Sequence, residues 1–458
     1  MAETTSTTRG NWNSKLGFIL AAAGSAVGLG NIWRFPTEVA SNGGGAFLLI
    51  YLLCCFAIGF PVMVAELSIG RKTNRNPVGA FKTLSSNKFY PLIGFWGVLC
   101  GVMILSFYIV VAGWTFSYVF EEILFFTGFT EWAALFADVS HGVKNAIFSV
   151  IFMGATVSII LGGVSDGIER ATKFLMPVLI GILVIMIGYV TFQPGAGVGF
   201  AEYLKPDFSM ISAPLVFSAM GQAFFSLSLG MGALITYGSY LSKKENIPEA
   251  AAYVTLADVG IAFLAGLLIM PAMYMAESFG VNIFNDSGEL LASTDLIFQV
   301  LPALFHSLST TAGIIFGTSF FLLLSMAALT STISLLEVPT SYVIDEFNVQ
   351  RKKAATMIGG GILIISLIIS FDISLINTID FIFSTVGLPL GGFLICYFLG
   401  YVWKVENAFK ELEQGYHGLH TSLFKTVWPI FIKYIAPLAI LYNLLEAIGL
   451  ITYIQELF

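Results

Sequence analysis

Charge is scarce in this sequence. Of its 458 residues, 21 are Lys or Arg and 28 are Asp or Glu, together 11%. Soluble domains carry about 25%. A water-facing surface for a chain this long needs far more charge, so a soluble globular enzyme is excluded. Cysteine and histidine are also sparse. Cys54, Cys55, Cys100 and Cys396 lie in apolar runs without CxxC or metal-ligand spacing and read as small buried side chains. His141, His306, His417 and His420 are scattered, and no Cys or second pair completes a metal site around the last two. There is no basic stripe interleaved with aromatics, which argues against a nucleic-acid partner. No H-E-x-x-H or G-x-S-x-G motif supports a membrane-embedded enzyme. No A-x-A cleavage site follows the first apolar run.

Apolar residues fill the chain instead. They make up 57% of it, with 42 Phe, and the mean hydropathy is +0.86. Runs of about 20 apolar residues are long enough to cross a bilayer. The runs predict helices over 16–38, 46–70, 90–120, 145–163, 168–192, 212–240, 250–275, 311–341, 354–371, 376–403 and 426–452. The expectation is an all-α membrane protein with 11 transmembrane helices in contact with lipid. Charge placement orients them. With the N-terminus inside, seventeen of the 21 basic residues fall in cytoplasmic segments, and only Lys144 and Lys205 fall outside. That bias follows the positive-inside rule and leaves the C-terminus outside, in an inner (plasma) membrane.

Two spans carry matched interruptions. The first contains Gly24-Ser25-Ala26-Val27-Gly28-Leu29-Gly30-Asn31, and the sixth contains Ser226-Leu227-Ser228-Leu229-Gly230-Met231-Gly232. One GxG alone reads more readily as close helix packing. Five spans separate the pair, so helices 1–5 and 6–10 enter the membrane from opposite sides. Paired glycine interruptions in such inverted repeats point to a transporter site. Unwinding frees backbone groups that hydrocarbon cannot satisfy. Carbonyls can then hold cations, and half-helix N-termini can hold carboxylates.

Arg34, Glu66, Asp258, Glu337 and Asp380 lie within or at the ends of spans, where facing lipid is costly. Arg34 and Asp380 both fall toward the outer side. They can close an external vestibule or form a static ion pair, and charge alone does not choose between these. Asp258 calls for a cation or a proton. Thr330 and Ser331 can offer oxygens to a hard cation such as Na+, although such hydroxyls more often bond back to their own helix.

Further stretches are Trp12, Ile32-Trp33-Arg34-Phe35-Pro36, Asn42-Gly43-Gly44-Gly45-Ala46-Phe47, Gly59-Phe60-Pro61 through Glu66 to Gly70-Arg71, Gly221-Gln222-Ala223-Phe224-Phe225, and Ala328-Leu329-Thr330-Ser331. With the two interruptions, they resemble the neurotransmitter:sodium symporter family, its bacterial amino-acid transporters in particular. The likeness runs from about residue 9 to the end. It implies a LeuT-type fold, with residues 16–192 as first repeat and 212–403 as second. A cytoplasmic segment of 1–15 precedes them, and a loop plus helix 11 over 404–458 follows. It also implies Na+-driven uptake by alternating access.

By this resemblance, a first Na+ site would use Ala26, Asn31, Ser226 and Asp258. A second would use Gly24, Val27, Ala327, Thr330 and Ser331. The substrate would be bound by Ser25, Ala26, Gly28, Leu29, Gly30, Tyr108, Ser226 and Ser331, its carboxylate meeting the Tyr108 hydroxyl and the amides of Leu29 and Gly30. Its side chain would lie among Ile104, Phe225, Ser228, Met231, Thr332 and Leu335. Arg34, Phe225 and Asp380 would form an outer gate, and Arg9, Trp12, Tyr240 and Asp345 an inner one. Gly167 and Pro177 would mark a helix able to loosen and admit water to the second Na+ site; an ordinary first-turn Pro is the plainer reading.

Three departures refine this picture. Monoamine transporters carry an acid where this chain has Gly28, so the substrate here must bring its own carboxylate. Asp258 falls where many members have Asn, and its charge can replace the chloride that animal members need. The spans end at eleven, so a dimer contact built on a twelfth does not carry over. An apolar pocket with adaptable Met231 suits several hydrophobic L-amino acids, aromatic ones included. The competing function is a sensor that keeps the fold without transport.

Overall fold

The structure is a computed structural model and describes residues 10–284, 291 and 293–451. It is built from helices, with no strand among the described residues. In a bilayer core the backbone must satisfy its own hydrogen bonds, and helices do this within one segment. The principal helices are α1 (Lys15–Ala26), α2 (Gly30–Ser41), α3 (Gly45–Thr73), α4 (Pro91–Phe126), α5 (Gly142–Leu161) and α6 (Val164–Thr191). They continue with α7 (Ala213–Ser226), α8 (Ala233–Gly238), α9 (Ile247–Ser278) and α10 (Leu296–Ser307). The last are α11 (Thr310–Phe347), α12 (Arg351–Phe371), α13 (Ser374–Leu412) and α14 (Phe424–Ala447).

Among the described residues, nine helices are long and apolar enough to cross a membrane, or ten when the bent pair α1–α2 counts as one. The remaining expected span, 212–240, is present as α7 and α8, each too short to cross alone. Local signals explain the boundaries. Ser14 caps α1 by accepting from the Gly17 N–H at 2.9 Å, and Ser212 and Asn246 cap α7 and α9 in the same way. Asn74 and Asn348 end α3 and α11 in left-handed geometry.

Both interruptions expected from the glycine pattern are present. The axis bends by 54° between α1 and α2. Between α7 and α8 the chain is unwound, with φ of 54° at Ser228, 80° at Gly230 and 78° at Gly232. Gly230 is required twice over. Its φ disfavours a side chain, and a Cβ there would lie 2.0 Å from the Leu388 carbonyl oxygen. Helices α4 and α11 pack on each other and flank the breaks. Pro177 lies inside α6 rather than in its first turn, after a π-helical opening over Val164–Glu169.

Candidate functional site

The site forms where the two breaks face each other. Asn31 opens the second half of the first broken helix, and its amide Nδ2 donates to Asp258 Oδ1 at 2.7 Å and to Ser226 Oγ at 3.0 Å. Ser226, the last residue of α7, donates to Asp258 Oδ1 at 2.8 Å. The Gly28 N–H donates to Asn31 Oδ1 at 3.1 Å. All three side chains are fully or almost fully buried. Tyr51 was not foreseen. Its hydroxyl reaches Asp258 Oδ2 at 3.2 Å and Ser226 Oγ at 3.1 Å. A buried tyrosine hydroxyl within an apolar span needs a partner, and that is the signal the sequence offers.

A second group gathers at the other side of the first break. Thr330 Oγ1 lies 3.1 Å from the Val27 carbonyl oxygen and 2.8 Å from that of Ala327. Gly24 faces the same threonine, since a Cβ on it would lie 3.4 Å from Thr330 Cβ. Ser331 Oγ is 3.5 Å from the Ser25 carbonyl. Thr330 thus bonds back to its own helix and also reaches across to α1. Both groups present oxygens from carboxylate, amide, hydroxyl and unwound carbonyls, the donor chemistry a hard cation such as Na+ takes at broken helices.

Between the groups lies a small cavity of about 20 Å³ bounded by Ser25, Ala26, Gly28, Gly30, Ile104, Tyr108, Phe225, Ser228, Met231, Ser331, Ser334 and Leu335. That volume holds about one water. The Tyr108 hydroxyl accepts from the Leu29 N–H at 2.9 Å. Ser228 Oγ donates to the Ser25 carbonyl at 2.9 Å and so ties the two breaks together. A larger residue at Gly28 would have to displace its neighbours: a Cβ there would sit 2.1 Å from Ser331 Oγ and 2.8 Å from the Tyr108 oxygen. Thr332 is not on this wall. Its hydroxyl meets Thr156 Oγ1 of α5 at 2.8 Å. Successive helical residues point about 100° apart, so Ser331, Ser334 and Leu335 share the face that Thr332 leaves.

Above Phe225 a larger cavity of about 570 Å³ opens, with Arg34, Asp380, Trp33 and Tyr108 among its walls. The Arg34 guanidinium stands 4.7 Å over the Phe225 ring. Its Nη1 lies 3.9 Å from Asp380 Oδ2, and its Nε lies at the same distance from Glu38 Oε1. Phe225 separates the two cavities, and Gly30 gives its ring room.

At the opposite end, Trp12 Nε1 donates to the Tyr237 carbonyl at 3.1 Å, and its ring meets Tyr237 and Tyr240 edge-on. The Tyr240 hydroxyl donates to Glu337 Oε1 at 2.7 Å, and Arg351 donates to both Glu337 oxygens at 2.5 and 3.0 Å. Asp345 Oδ2 accepts from the Asn76 N–H at 2.8 Å. Arg9 lies outside the described residues. The Arg351 partner of Glu337 was not foreseen. Glu66 is used structurally, with Oε1 accepting from the Gly230 N–H at 2.7 Å inside the second break.

Two interrupted membrane helices, meeting over buried oxygen clusters beneath a vestibule, are the architecture of a membrane transporter. Known proteins agree. The profile of the Sodium:neurotransmitter symporter family matches residues 9–135 and 139–456. An uncharacterized sodium-dependent transporter, YhdH of Bacillus subtilis, is 33% identical over 457 residues, 96% of this chain and 98% of its own. The sodium- and chloride-dependent GABA transporter 2 of Homo sapiens is 28% identical over 62% of this chain and 54% of its own. The crystal structure of MhsT in complex with L-phenylalanine superimposes with a TM-score of 0.84 at 40% identity, covering 96% of this chain and 100% of that one. The chain belongs to the sodium:neurotransmitter symporter family. It has the LeuT-type fold, and it is a multi-pass membrane transporter rather than an enzyme.

Proposed function

We propose that this transporter carries hydrophobic L-amino acids, aliphatic and aromatic, into the cell with two Na+ by alternating access, and does so without chloride. The observation that carries the reading is the meeting of Asn31, Ser226 and Asp258 at the two breaks. There a fixed carboxylate stands beside the oxygens of the first Na+ site. The Val27, Ala327 and Thr330 oxygens support the second site.

The substrate carboxylate would meet the Leu29 N–H end and the Tyr108 hydroxyl. Gly28 leaves no acid to replace it. The side chain would enter among Ile104, Met231 and Leu335. The small cavity must widen for this, and unbranched Met231 can re-pack. Phe225, held under Arg34 and facing Asp380, would act as the outer lid. Trp12, Tyr240 and Asp345 would close the cytoplasmic side with Arg9. The inverted repeats 16–192 and 212–403 would move against each other, with the N-terminus in the cytoplasm and the C-terminus outside the plasma membrane.

Competition of unlabelled amino acids against labelled phenylalanine tests the reading, with Na+ replaced by K+ and chloride by gluconate. Leucine, tryptophan and phenylalanine should compete, only with Na+, and equally in gluconate. Preference for glycine or glutamate would overturn the substrate class. Counterflow in proteoliposomes tests transport itself, since a sensor would move no label.

A further inference from the structure

Away from the transport site, a cluster of three ligating side chains lies near the end of α4. Glu121 and Glu122 of α4 converge on His306 of α10, and their ligand atoms lie within 4.8 Å of one another. His306 Nε2 is 3.3 Å from Glu121 Oε1 and 3.6 Å from Glu122 Oε2. Both carboxylates are buried, Glu122 completely. Neither Glu122 oxygen has a hydrogen-bond partner, and neither has Glu121 Oε2 or His306 Nε2. Among the described residues no Lys or Arg pairs with either glutamate.

This is a costly arrangement without an occupant, because buried polar groups are almost always satisfied and buried carboxylates need a counter-charge. The spacing indicates which occupant fits. A tetrahedral ion with bonds of about 2.0–2.2 Å holds its ligand atoms about 3.3–3.6 Å apart. The two imidazole–carboxylate separations match. They are poorly placed for direct hydrogen bonds, which the pairs do not make. One imidazole nitrogen with carboxylate oxygens is a zinc-type ligand set, and two carboxylates balance a divalent charge.

The surroundings hold the ligands in place. The His306 ring stacks on Phe125 at 3.5 Å with 4° between planes. Gly317 of α11 makes room for Glu122, since a Cβ there would lie 2.3 Å from Glu122 Oε2. His306 is one-fifth exposed while its Nε2 is buried, so the cluster lies just beneath the surface of the protein. We infer that Glu121, Glu122 and His306 form a binding site for a divalent transition-metal ion of the Zn2+ type, separate from the Na+ sites. The bound ion bridges α4 to α10. That helix also carries Phe298, whose ring packs edge-on against Trp33 beside the vestibule at 5.8 Å.

Calorimetric titration of the purified full-length protein with Zn2+ tests this, with Co2+ as a spectroscopic probe. The expected result is one saturable ion per chain and tetrahedral Co2+ visible bands. Both should weaken at least tenfold in His306→Ala and in Glu122→Gln. Retained Na+-dependent phenylalanine binding reports that each variant is folded, and His306→Ala serves if Glu122→Gln is not. No saturable binding to the wild-type chain overturns the site. So does binding unchanged in a folded variant, which assigns the ion to His141, His417 or His420.

Discussion

The Asn31 amide donates to Asp258 Oδ1 at 2.7 Å across 227 positions of sequence. This bond joins the first broken helix to α9 at the point where Ser226 ends α7. It places a carboxylate within the proposed first Na+ site, next to groups that are otherwise neutral.

Asp258→Asn should convert chloride-independent uptake into chloride-dependent uptake. Removing the fixed charge should cost at least about 1.4 kcal/mol of Na+ affinity, a tenfold loss, in gluconate, with recovery in chloride. Uptake of labelled phenylalanine in both anions measures it. Full-rate, chloride-independent uptake by the variant would refute the compensation argument.

Gly28→Ala should lower substrate affinity about tenfold or more. Its methyl group would collide with Ser331 Oγ and the Tyr108 oxygen, both fixed at the proposed carboxylate end. Overpacking costs about 1–3 kcal/mol. Scintillation proximity binding at saturating Na+ reads the loss.

Thr332→Val and Ser334→Leu should separate. Thr332 bonds to Thr156, so the valine variant should lose about 1 kcal/mol of stability and keep its substrate ranking. Ser334 lines the cavity, so leucine there should reduce binding of tryptophan more than of leucine. Competition profiles of the two variants decide.

Glu411→Gln should destabilise the protein severely. Arg71 and Glu411 are both fully buried, with Arg71 Nε donating to Glu411 Oε1 at 2.9 Å. Lys243 joins them at 2.8 Å. Breaking a buried pair leaves an uncompensated charge and costs about 3–5 kcal/mol. A fluorescence-detected melting curve in detergent should show a large drop, whereas Lys82→Ala, at a mostly exposed ion pair, should leave the curve in place.

Much of this was legible in the chain. Runs of apolar residues placed most ends of the membrane helices within a few residues, because hydrocarbon thickness fixes the apolar length; α4, α11 and α13 continue to Phe126, Phe347 and Leu412, beyond the expected 120, 341 and 403. Paired glycines located both breaks: a φ near 80° at Gly230 and Gly232 is a local demand that few residues meet, and at the first break Gly28 and Gly30 leave room for Ser331, Tyr108 and Phe225. Tyr51 and Ser334 were missed because an apolar span looks the same on every face until its neighbours are known. The family resemblance implies a place for Thr332 on the pocket wall, but its hydroxyl faces α5, since a one-residue step turns a helix by about 100°.

The sequence by itself determined the membrane class, the helix pattern and the two interruptions, since these follow from composition and local backbone chemistry. Only the tertiary structure decided which partners the buried charges take. Glu337 meets Arg351 and Tyr240, Arg71 meets Glu411, and Glu121 and Glu122 meet His306. Partner choice depends on which helix faces pack together, and no local residue pattern encodes that.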